Sequence, residues 1–164
     1  MKLWVARHCY AGNASDDPKI EINRPLLAEG IATAKAIANA MVDAGEIPNA
    51  IFCSGYQRAT DTAFIYGKTL RCPVVIKTAI GPVAPLTSEL SAWVQTKGRE
   101  KLKRLMIVGH KDNTTPTMQD LDDGDWDDLV MGEVRRVNIS RKDLSWTLKW
   151  AIKPSDLGLK DRKL

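Results

Sequence analysis

The sequence predicts an α/β fold built on an open sheet. Three apolar runs rich in strand-forming residues, at 3–6, 50–53 and 105–108, each end abruptly in polar or cationic residues. Helical patterns follow the first two runs, and strands that alternate with helices are typical of α/β proteins. In such a sheet, ligands gather at the carboxyl ends of the strands. We therefore expect a binding site at the edge where the three runs end.

Length and composition describe an ordinary globular protein. The chain has 164 residues, 44% of them hydrophobic and 27% charged, which suits one domain with a real core. It has no apolar stretch of membrane-spanning length, and its N-terminus lacks the features of a signal peptide. The three cysteines form no Cys-x-x-Cys pair, which suits a reducing compartment. We therefore expect a cytoplasmic protein with reduced thiols, at Cys9, Cys53 and Cys72.

The net charge of +4 and pI near 9.0 raise the question of an anionic partner. The basic residues are scattered, and neither a nucleic-acid motif nor a basic stripe with interleaved aromatics is present, so nucleic-acid binding is a minority hypothesis. Aspartates concentrated at residues 120–128 do not have the spacing of a calcium loop. We interpret that segment as a solvated loop and expect no metal there.

Helices are predicted where apolar residues recur at helical spacing, and strands where apolar residues run together or alternate. Thr115 is the expected cap of a short helix, with Pro116 at its first position. We expect one domain at 1–153 and a frayed tail at 154–164. The elements predicted in chain order are a strand at 3–6, a polar loop at 10–23, a helix at 27–44, a strand at 50–53, a helix at 57–70, a strand at 74–76, a helix at 88–96, a strand at 105–109, a helix from Pro116 to about 121, and paired strands at 134–139 and 145–152.

Two arginines and the only two histidines of the chain stand at the predicted edge. Arg7 and His8 follow the first run, Arg58 begins the helix after the second, and His110 follows the third. The planar fork of donors in a guanidinium group fits the oxygens of a phosphate. The free N–H groups at the start of the helix near Arg58 would also bind an anion. A neutral imidazole can attack phosphorus. We therefore expect a phosphoryl pocket in which one histidine is the nucleophile and the other neutralises developing charge.

Four ordered segments resemble the histidine phosphatase (phosphoglycerate-mutase-like) superfamily. Residues 7–9 are similar to its Arg-His-Gly signature and residues 24–30 to its Arg-Pro-Leu-x-x-x-Gly segment. Residues 54–63 resemble its Ser-x-x-x-Arg-Ala-x-x-Thr-Ala block, and residues 107–110 its Val-Gly-His block. The order and spacing are similar to those of the short, SixA-like branch of phosphohistidine phosphatases. The resemblance implies a three-layer αβα sandwich with a mostly parallel central sheet.

The resemblance also implies roles for the residues of the predicted pocket. His8 is expected to be the nucleophile that becomes phosphorylated, while Arg7, Arg58 and His110 hold the phosphoryl oxygens without a metal or other cofactor. Asn13, on the polar loop, is a further candidate for substrate binding. The favoured substrate is a phosphohistidine protein; the alternatives are a small phosphomonoester, or a non-catalytic module that binds phosphate or a phosphoprotein. We expect a monomer or weak dimer with no membrane partner.

The chain departs from the pattern of this superfamily at several positions. Cys9 replaces the usual glycine, which would cost about 1–3 kcal/mol if the backbone there has positive φ. Its thiol raises two lesser options, oxidative control or a cysteine-based mechanism, beside inert packing. Leu27 replaces a common helix-capping Ser or Thr. The turn at 111–114 also differs from the usual one, so the rim of the pocket is expected to differ.

No carboxylic acid stands where larger members of the superfamily have their general acid. The nearest candidate for a general acid is Glu89, and Asp16 and Asp17 are further candidates. Each of the three is also consistent with an ordinary surface carboxylate. A proton donor is essential when an alkoxide leaves and less so when an imidazole leaves. The missing acid therefore agrees with phosphohistidine as the substrate.

Overall fold

A six-stranded sheet organises the structure, a computed structural model that describes residues 1–82, 88–89, 92, 103–121, 127–140, 142–143 and 145–163. Its strands are β1 (Lys2–Arg7), β2 (Ala50–Cys53), β3 (Val74–Ile76), β4 (Arg104–Gly109), β5 (Val134–Ile139) and β6 (Trp146–Ile152). They lie in the order β3-β2-β4-β1-β5-β6. The first four pair in parallel, and the pairs β1–β5 and β5–β6 are antiparallel. The prediction of a mostly parallel sheet is confirmed.

The register of the central strands determines which residues share an edge. Arg7 is opposite Gly109 in the parallel pair β1–β4, and Cys53 is opposite Val108 in the pair β2–β4. The residues that follow these three strands therefore leave the sheet at one edge. They include His8 and His110, as the sequence predicts.

Helices cover both faces of the sheet. They are α1 (Pro18–Ile22), α2 (Ala28–Asp43), α3 (Gln57–Leu70) and α4 (Lys111–Leu121), with 3-10 helices at Thr78–Ile80 and Pro154–Leu157. Helix α2 starts at Leu27 without a side-chain cap, as predicted, and Gly45, at φ +68°, follows its end. None of the helices in the described part of the chain is long and apolar enough to span a membrane.

The core is divided between the two faces because successive side chains of a strand point in opposite directions. Trp4 and Met106 pack on one face with the apolar sides of α2 and α3. Leu3 and Ile107 pack on the other with Met118 of α4. Two buried clusters on either side of one sheet make the three-layer αβα sandwich expected from the resemblance.

The segment at 10–23 is not a loop throughout, because it contains helix α1. Asp17 caps the helix: its Oδ1 accepts a hydrogen bond of 2.8 Å from the backbone N–H of Lys19. Pro18 occupies the first helical position, where a missing N–H costs nothing. The Asp-Pro pair is a helix-start signal in the sequence, and the helix it starts carries Glu21.

Helix α4 begins at Lys111, so the prediction that it begins after a Thr115 cap is wrong. The backbone oxygen of His110 accepts hydrogen bonds from the Thr114 N–H at 2.9 Å and the Thr114 hydroxyl at 2.8 Å. Asn113 Oδ1 accepts a bond from the His110 N–H at 2.9 Å. These bonds close a helical turn directly after His110, which leaves Pro116 inside the helix.

Strand β6 does not present one continuous face, although its residues alternate strictly in the sequence. The register shifts between Arg136 and Val137, which lie opposite Trp150 and Leu148. This bulge moves the two ends of β6 to different faces, a known effect of an extra residue. Trp150 packs against the cluster containing Trp4, Trp146 packs against the other cluster, and Leu148 stays 39% exposed.

The segment after β6 is ordered, so the expectation that it is frayed is wrong. Pro154–Leu157 form a 3-10 helix, and the backbone oxygen of Arg162 accepts a hydrogen bond of 2.9 Å from the Met131 N–H. The Arg162 guanidinium pairs with Glu29 at 2.7 Å and lies over the Tyr10 ring. These contacts fix the segment to α2 and to the loop before β5.

Two predictions concern segments that lie wholly or partly outside the described residues. Of the helix predicted at 88–96, only Ser88, Glu89 and Ala92 are described, and all three are helical. The centre of the acidic segment, 122–126, is likewise outside the described residues.

Candidate active site

The four predicted pocket residues meet at the edge of the sheet, and all are buried. Arg7 ends β1, His8 follows it, Arg58 lies in the first turn of α3, and His110 directly precedes α4. Their side chains line one cavity of about 260 Å³. The other described residues that line it are Gly12, Ala14, Glu21, Arg24, Lys111, Asp112 and Met131.

His8 has a defined tautomer. Its Nδ1 lies 2.7 Å from the backbone oxygen of Cys9, and a carbonyl only accepts, so Nδ1 carries the hydrogen. The other nitrogen, Nε2, accepts a hydrogen bond of 3.1 Å from Nε of Arg58. The lone pair of Nε2 is therefore held on the side of the ring that faces the arginine.

His110 lies beside His8, with 5.2 Å between the ring centroids. Its Nε2 is 2.9 Å from the Ser54 hydroxyl, which in turn accepts a hydrogen bond from the Tyr56 N–H at 3.2 Å. The Tyr56 ring meets His110 edge-on, with the centroids 5.0 Å apart. Nδ1 of His110 is buried and makes no hydrogen bond within the described part of the chain.

Both histidines are neutral at physiological pH. Burial, with a smaller contribution from the charge of His110, holds the pKa of His8 well below its usual range. Burial and the adjacent Arg58 lower the pKa of His110 to about 3. A neutral imidazole keeps one unprotonated nitrogen, so such a ring can act as a nucleophile without an activating base.

The guanidinium of Arg58 connects His8 to helix α1. Its Nη1 donates to the backbone oxygen of Glu21 at 2.9 Å, and its Nη2 lies 2.9 Å from the Glu21 carboxylate. The same carboxylate pairs with Arg24 at 2.7 Å. Burial lowers the pKa of Arg58, and Glu21 opposes that shift.

Arg7 is held by the segment that precedes β5. Its Nη1 donates to the backbone oxygen of Leu129 at 2.9 Å. The Gly132 N–H is 3.2 Å from the backbone oxygens of both Arg7 and His8, with Gly132 at φ +84°. An added Cβ at Gly132 would lie 2.9 Å from Thr33 and 3.2 Å from Cys9, so this turn requires glycine.

Cys9 is a packing residue in this structure. It is fully buried, its N–H donates to the Thr62 hydroxyl at 3.0 Å, and its Sγ is 3.9 Å from the Tyr66 hydroxyl. Arg71 is the one non-glycine with positive φ in the described ranges, so the conditional strain at Cys9 does not arise. Burial raises the pKa of the Cys9 thiol to about 12, which leaves it protonated and unreactive.

Two further predictions concern residues that lie away from the cavity walls. Asn13 is exposed, and Gly12 and Ala14 line the cavity on its loop. Glu89 accepts a hydrogen bond from the Ser88 hydroxyl at 2.8 Å and is not among the described lining residues. Within the described ranges, no cluster of three or more histidine, cysteine or acidic side chains is placed to hold a metal ion.

Glu21 is the main site residue that sequence reasoning missed. It stands three residues before Arg24, inside a segment predicted to be a loop. Its neighbour in the site, Arg58, is 37 positions away. The sequence signal that could have indicated it is Asp17, which caps the helix containing Glu21 and so determines which residues of 18–22 share a helix face.

A larger basic groove of about 580 Å³ lies at the opposite end of the sheet, beside the first residues of β1 and β4. It has no histidine or carboxylate among its described lining residues. Its described lining residues are Met1, Lys2, Lys103, Arg104 and Asn138.

Solved structures share this fold over most of their length. The SixA protein histidine phosphatase in complex with tungstate matches with a TM-score of 0.81 at 19% identity, over 96% of this chain and 99% of that one. A protein from Agrobacterium tumefaciens assigned as SixA phosphohistidine phosphatase gives 0.74 at 18%, over 93% and 97%. A mycobacterial glucosyl-3-phosphoglycerate phosphatase gives 0.67 at 14%, over 90% and 96%.

Sequence comparison adds a family match over residues 3–81. No curated protein matches the chain in sequence. The model of the histidine phosphatase superfamily (branch 1) matches residues 3–81, which include β1, the Arg24 segment and helix α3 with Arg58. Together with the buried arginines and histidines at one strand edge, this match makes residues 3–81 similar to the histidine phosphatase superfamily (branch 1).

Proposed function

We propose that this protein is a phosphatase that carries the phosphoryl group on Nε2 of His8 before water removes it. The observation that supports this most is the hydrogen bonding of His8. With its hydrogen on Nδ1 and bonded to the Cys9 oxygen, the ring presents the lone pair of Nε2 beside Arg58, at the wall of the cavity. A nucleophile fixed in this way needs to lose no proton: it attacks once the Arg58 N–H moves from Nε2 to an oxygen of the incoming phosphoryl group.

The reaction has two displacements. In the first, the lone pair of Nε2 forms a bond to phosphorus, and the bond from phosphorus to the leaving nitrogen or oxygen breaks with its electron pair. A leaving oxygen then receives a proton, whereas a protonated phosphoimidazole releases neutral imidazole. In the second, a water oxygen bonds to phosphorus, the P–Nε2 bond breaks, and the water proton passes to solvent. Inorganic phosphate and neutral His8 result.

Arg7, Arg58 and His110 would stabilise the charge of the phosphoryl oxygens. The two guanidiniums are buried and supply fixed positive charge at the cavity, and charge that is shielded from solvent acts strongly. The Ser54 hydroxyl accepts from the Tyr56 N–H, and in the arrangement that we propose it donates its own hydrogen to Nε2 of His110. His110 then carries its hydrogen on Nδ1, as a donor to a phosphoryl oxygen.

A phosphohistidine protein is the favoured substrate. The described carboxyl groups of the cavity are Glu21, which is ionised between two arginines, and the exposed Asp112. Neither is a buried acid poised to protonate an alkoxide, whereas a protonated phosphoimidazole leaves as neutral imidazole. The fold match to a protein histidine phosphatase supports the same substrate class. We further propose a cytoplasmic protein that acts as a monomer or weak dimer.

A small phosphomonoester is the second candidate substrate. A mycobacterial glucosyl-3-phosphoglycerate phosphatase has the same fold, so the architecture accommodates small phosphorylated molecules as well. A non-catalytic phosphoprotein-binding module is the remaining alternative, in which the pocket binds without turnover.

The decisive experiment compares the wild type with His8→Ala on three ³²P-labelled substrates: a phosphohistidine protein, a phosphoserine peptide and a simple alkyl phosphate. We expect the wild type to release phosphate fastest from phosphohistidine and to form an acid-labile phosphoenzyme. His8→Ala should do neither. Faster turnover of the alkyl phosphate would favour the second candidate, and binding without release or phosphoenzyme would indicate the non-catalytic module.

A further inference from the structure

A carboxylate is built into the wall of the anion-binding cavity. Glu21 lines the cavity, and its side chain is 21% exposed. Its Oε1 lies 2.7 Å from Nη2 of Arg24 and 2.9 Å from Nη2 of Arg58. A negative charge therefore stands within a site that otherwise collects positive charge for a phosphoryl group.

The Glu21 carboxylate is fixed by four donors. Besides the two contacts of Oε1, its Oε2 accepts hydrogen bonds of 3.0 Å from Nε of Arg24 and 3.0 Å from the Ser15 N–H. These bonds use the acceptor capacity of a carboxylate. The bonds from Arg24 lower the pKa of Glu21, so the group stays ionised. Glu21 is thus neither a proton donor nor a free acceptor, and its remaining influence on a ligand is its charge.

We propose that Glu21 selects substrates by charge: it disfavours phosphorylated compounds with a second anionic group beside the phosphoryl group and admits those whose adjoining part is neutral or cationic. A protonated phosphoimidazole belongs to the admitted class, and a phosphorylated carboxylic acid to the excluded one. This inference rests on the proposed function and specifies its substrate class.

The size of the cavity makes this charge effective. A substrate in about 260 Å³ lies within the Debye length of the carboxylate, about 8 Å in physiological salt. The Glu21 side chain is 21% exposed and those of Arg24 and Arg58 are 13% and 5% exposed, so solvent screens this charge only in part. A like charge in such a space is repelled more strongly than at an open surface.

Arg24 does not compensate for Glu21 by offering a second anion site. Its Nε and Nη2 are bonded to Glu21, and its Nη1 donates to the backbone oxygens of Ala11 at 3.2 Å and Gly12 at 2.8 Å. On the opposite rim, Lys111 is paired with Asp128 at 2.8 Å. The bonds of Arg24 are therefore directed to Glu21 and to the backbone, and Asp128 offsets the charge of Lys111.

The test measures binding without turnover. In the His8→Ala background, isothermal titration with ethyl phosphate, phosphoethanolamine and phosphoglycolate compares esters of similar size whose second group is neutral, cationic or anionic. We expect phosphoethanolamine to bind most tightly and phosphoglycolate most weakly. Adding Glu21→Gln should raise the affinity for phosphoglycolate, relative to that for ethyl phosphate, by about tenfold. This is the scale expected when one partly buried like charge is removed.

Two further variants separate charge from structure. Glu21→Asp keeps the charge and should preserve the weak binding of phosphoglycolate. Asp112→Asn removes an exposed carboxylate from the same cavity and should change the ratio of the two affinities by about twofold or less, since solvent screens it. Equal effects of Asp112→Asn and Glu21→Gln, an unchanged ratio in Glu21→Gln, or no binding of any ester would overturn the inference.

The experiments distinguish a failure of this inference from a failure of the proposed function. A wild type that hydrolyses no phosphorylated substrate, together with a Glu21-dependent binding order, would refute the proposed function and retain charge selection. An active wild type whose order of affinities does not change in Glu21→Gln would support the proposed function and refute charge selection.

Discussion

Nε of Arg58 donates a hydrogen bond of 3.1 Å to Nε2 of His8, the unprotonated nitrogen of that ring. The donor comes from the first turn of α3 and the acceptor from the end of β1. The contact orients the imidazole and places a guanidinium where a phosphoryl group would meet it. Glu21 holds the other end of the same guanidinium.

Replacing Arg58 tests whether its planar fork is needed. Arg58→Lys keeps a positive charge but cannot bond to His8 and Glu21 together, so we expect kcat to fall by about 10²–10³, as for loss of a donor to the transition state. Steady-state kinetics on a phosphohistidine substrate measures this. Arg71→Lys, at the exposed far end of α3, is the matched control and should leave kcat unchanged. Near-normal turnover by Arg58→Lys would contradict the role.

The buried histidines predict a stability that falls in mild acid. The folded pKa of His110, about 3, lies below its unfolded value near 6.5, so the unfolded chain binds the extra proton between those pH values. The free energy of unfolding is then fully retained above pH 6.5 and falls by about 1.4 kcal/mol per pH unit below it for each such histidine. Urea unfolding at pH 7.5, 6.0 and 5.0 measures this slope.

A His110→Asn variant provides the control for this pH dependence. The pKa of His8 is lowered in the same direction, so removing one of the two histidines should roughly halve the slope between pH 5 and pH 6.5. A slope that is unchanged in the variant would show that other groups dominate acid sensitivity.

Restoring the glycine usual in the superfamily at position 9 should cost stability and leave activity intact. Cys9→Gly removes a fully buried side chain and adds backbone freedom, together about 1–2 kcal/mol. The backbone there has no positive φ, and its N–H bond to Thr62 does not need the thiol. Thermal unfolding and kcat of the two proteins measure both effects, with Cys9→Ala as an intermediate. A large loss of kcat would show that the thiol has a function.

Pro116 is expected to weaken helix α4. Inside a helix, proline removes a hydrogen bond and crowds the carbonyl four residues earlier, here that of Asp112. Pro116→Ala should therefore raise the free energy of unfolding by about 1–2 kcal/mol, after allowing for the freer unfolded chain. Pro154→Ala, at the start of a 3-10 helix, should instead lower it slightly. Chemical denaturation of both variants gives the comparison, and a loss of stability in Pro116→Ala would contradict it.

The sequence by itself determined the layered α/β fold and four residues of the site. Apolar runs that end in Arg7, in Ser54 and in Gly109 indicate parallel strands, and the carboxyl ends of parallel strands meet at one edge. Arg7, His8, Arg58 and His110 could be grouped on that basis because a strand end and the helix start after it are local features. The helix at 57–70 and the strands at 74–76 and 134–139 match their predicted bounds for the same reason.

Only the tertiary structure decided how the groups of the candidate site are arranged. The tautomer of His8, the fixed carboxylate of Glu21 and the shifted register of β6 depend on partners distant in the chain. No local pattern encodes such contacts, because they arise when separate elements pack together. Glu21 is polar in a polar segment, and it becomes part of an anion site only when α3 brings Arg58 to it.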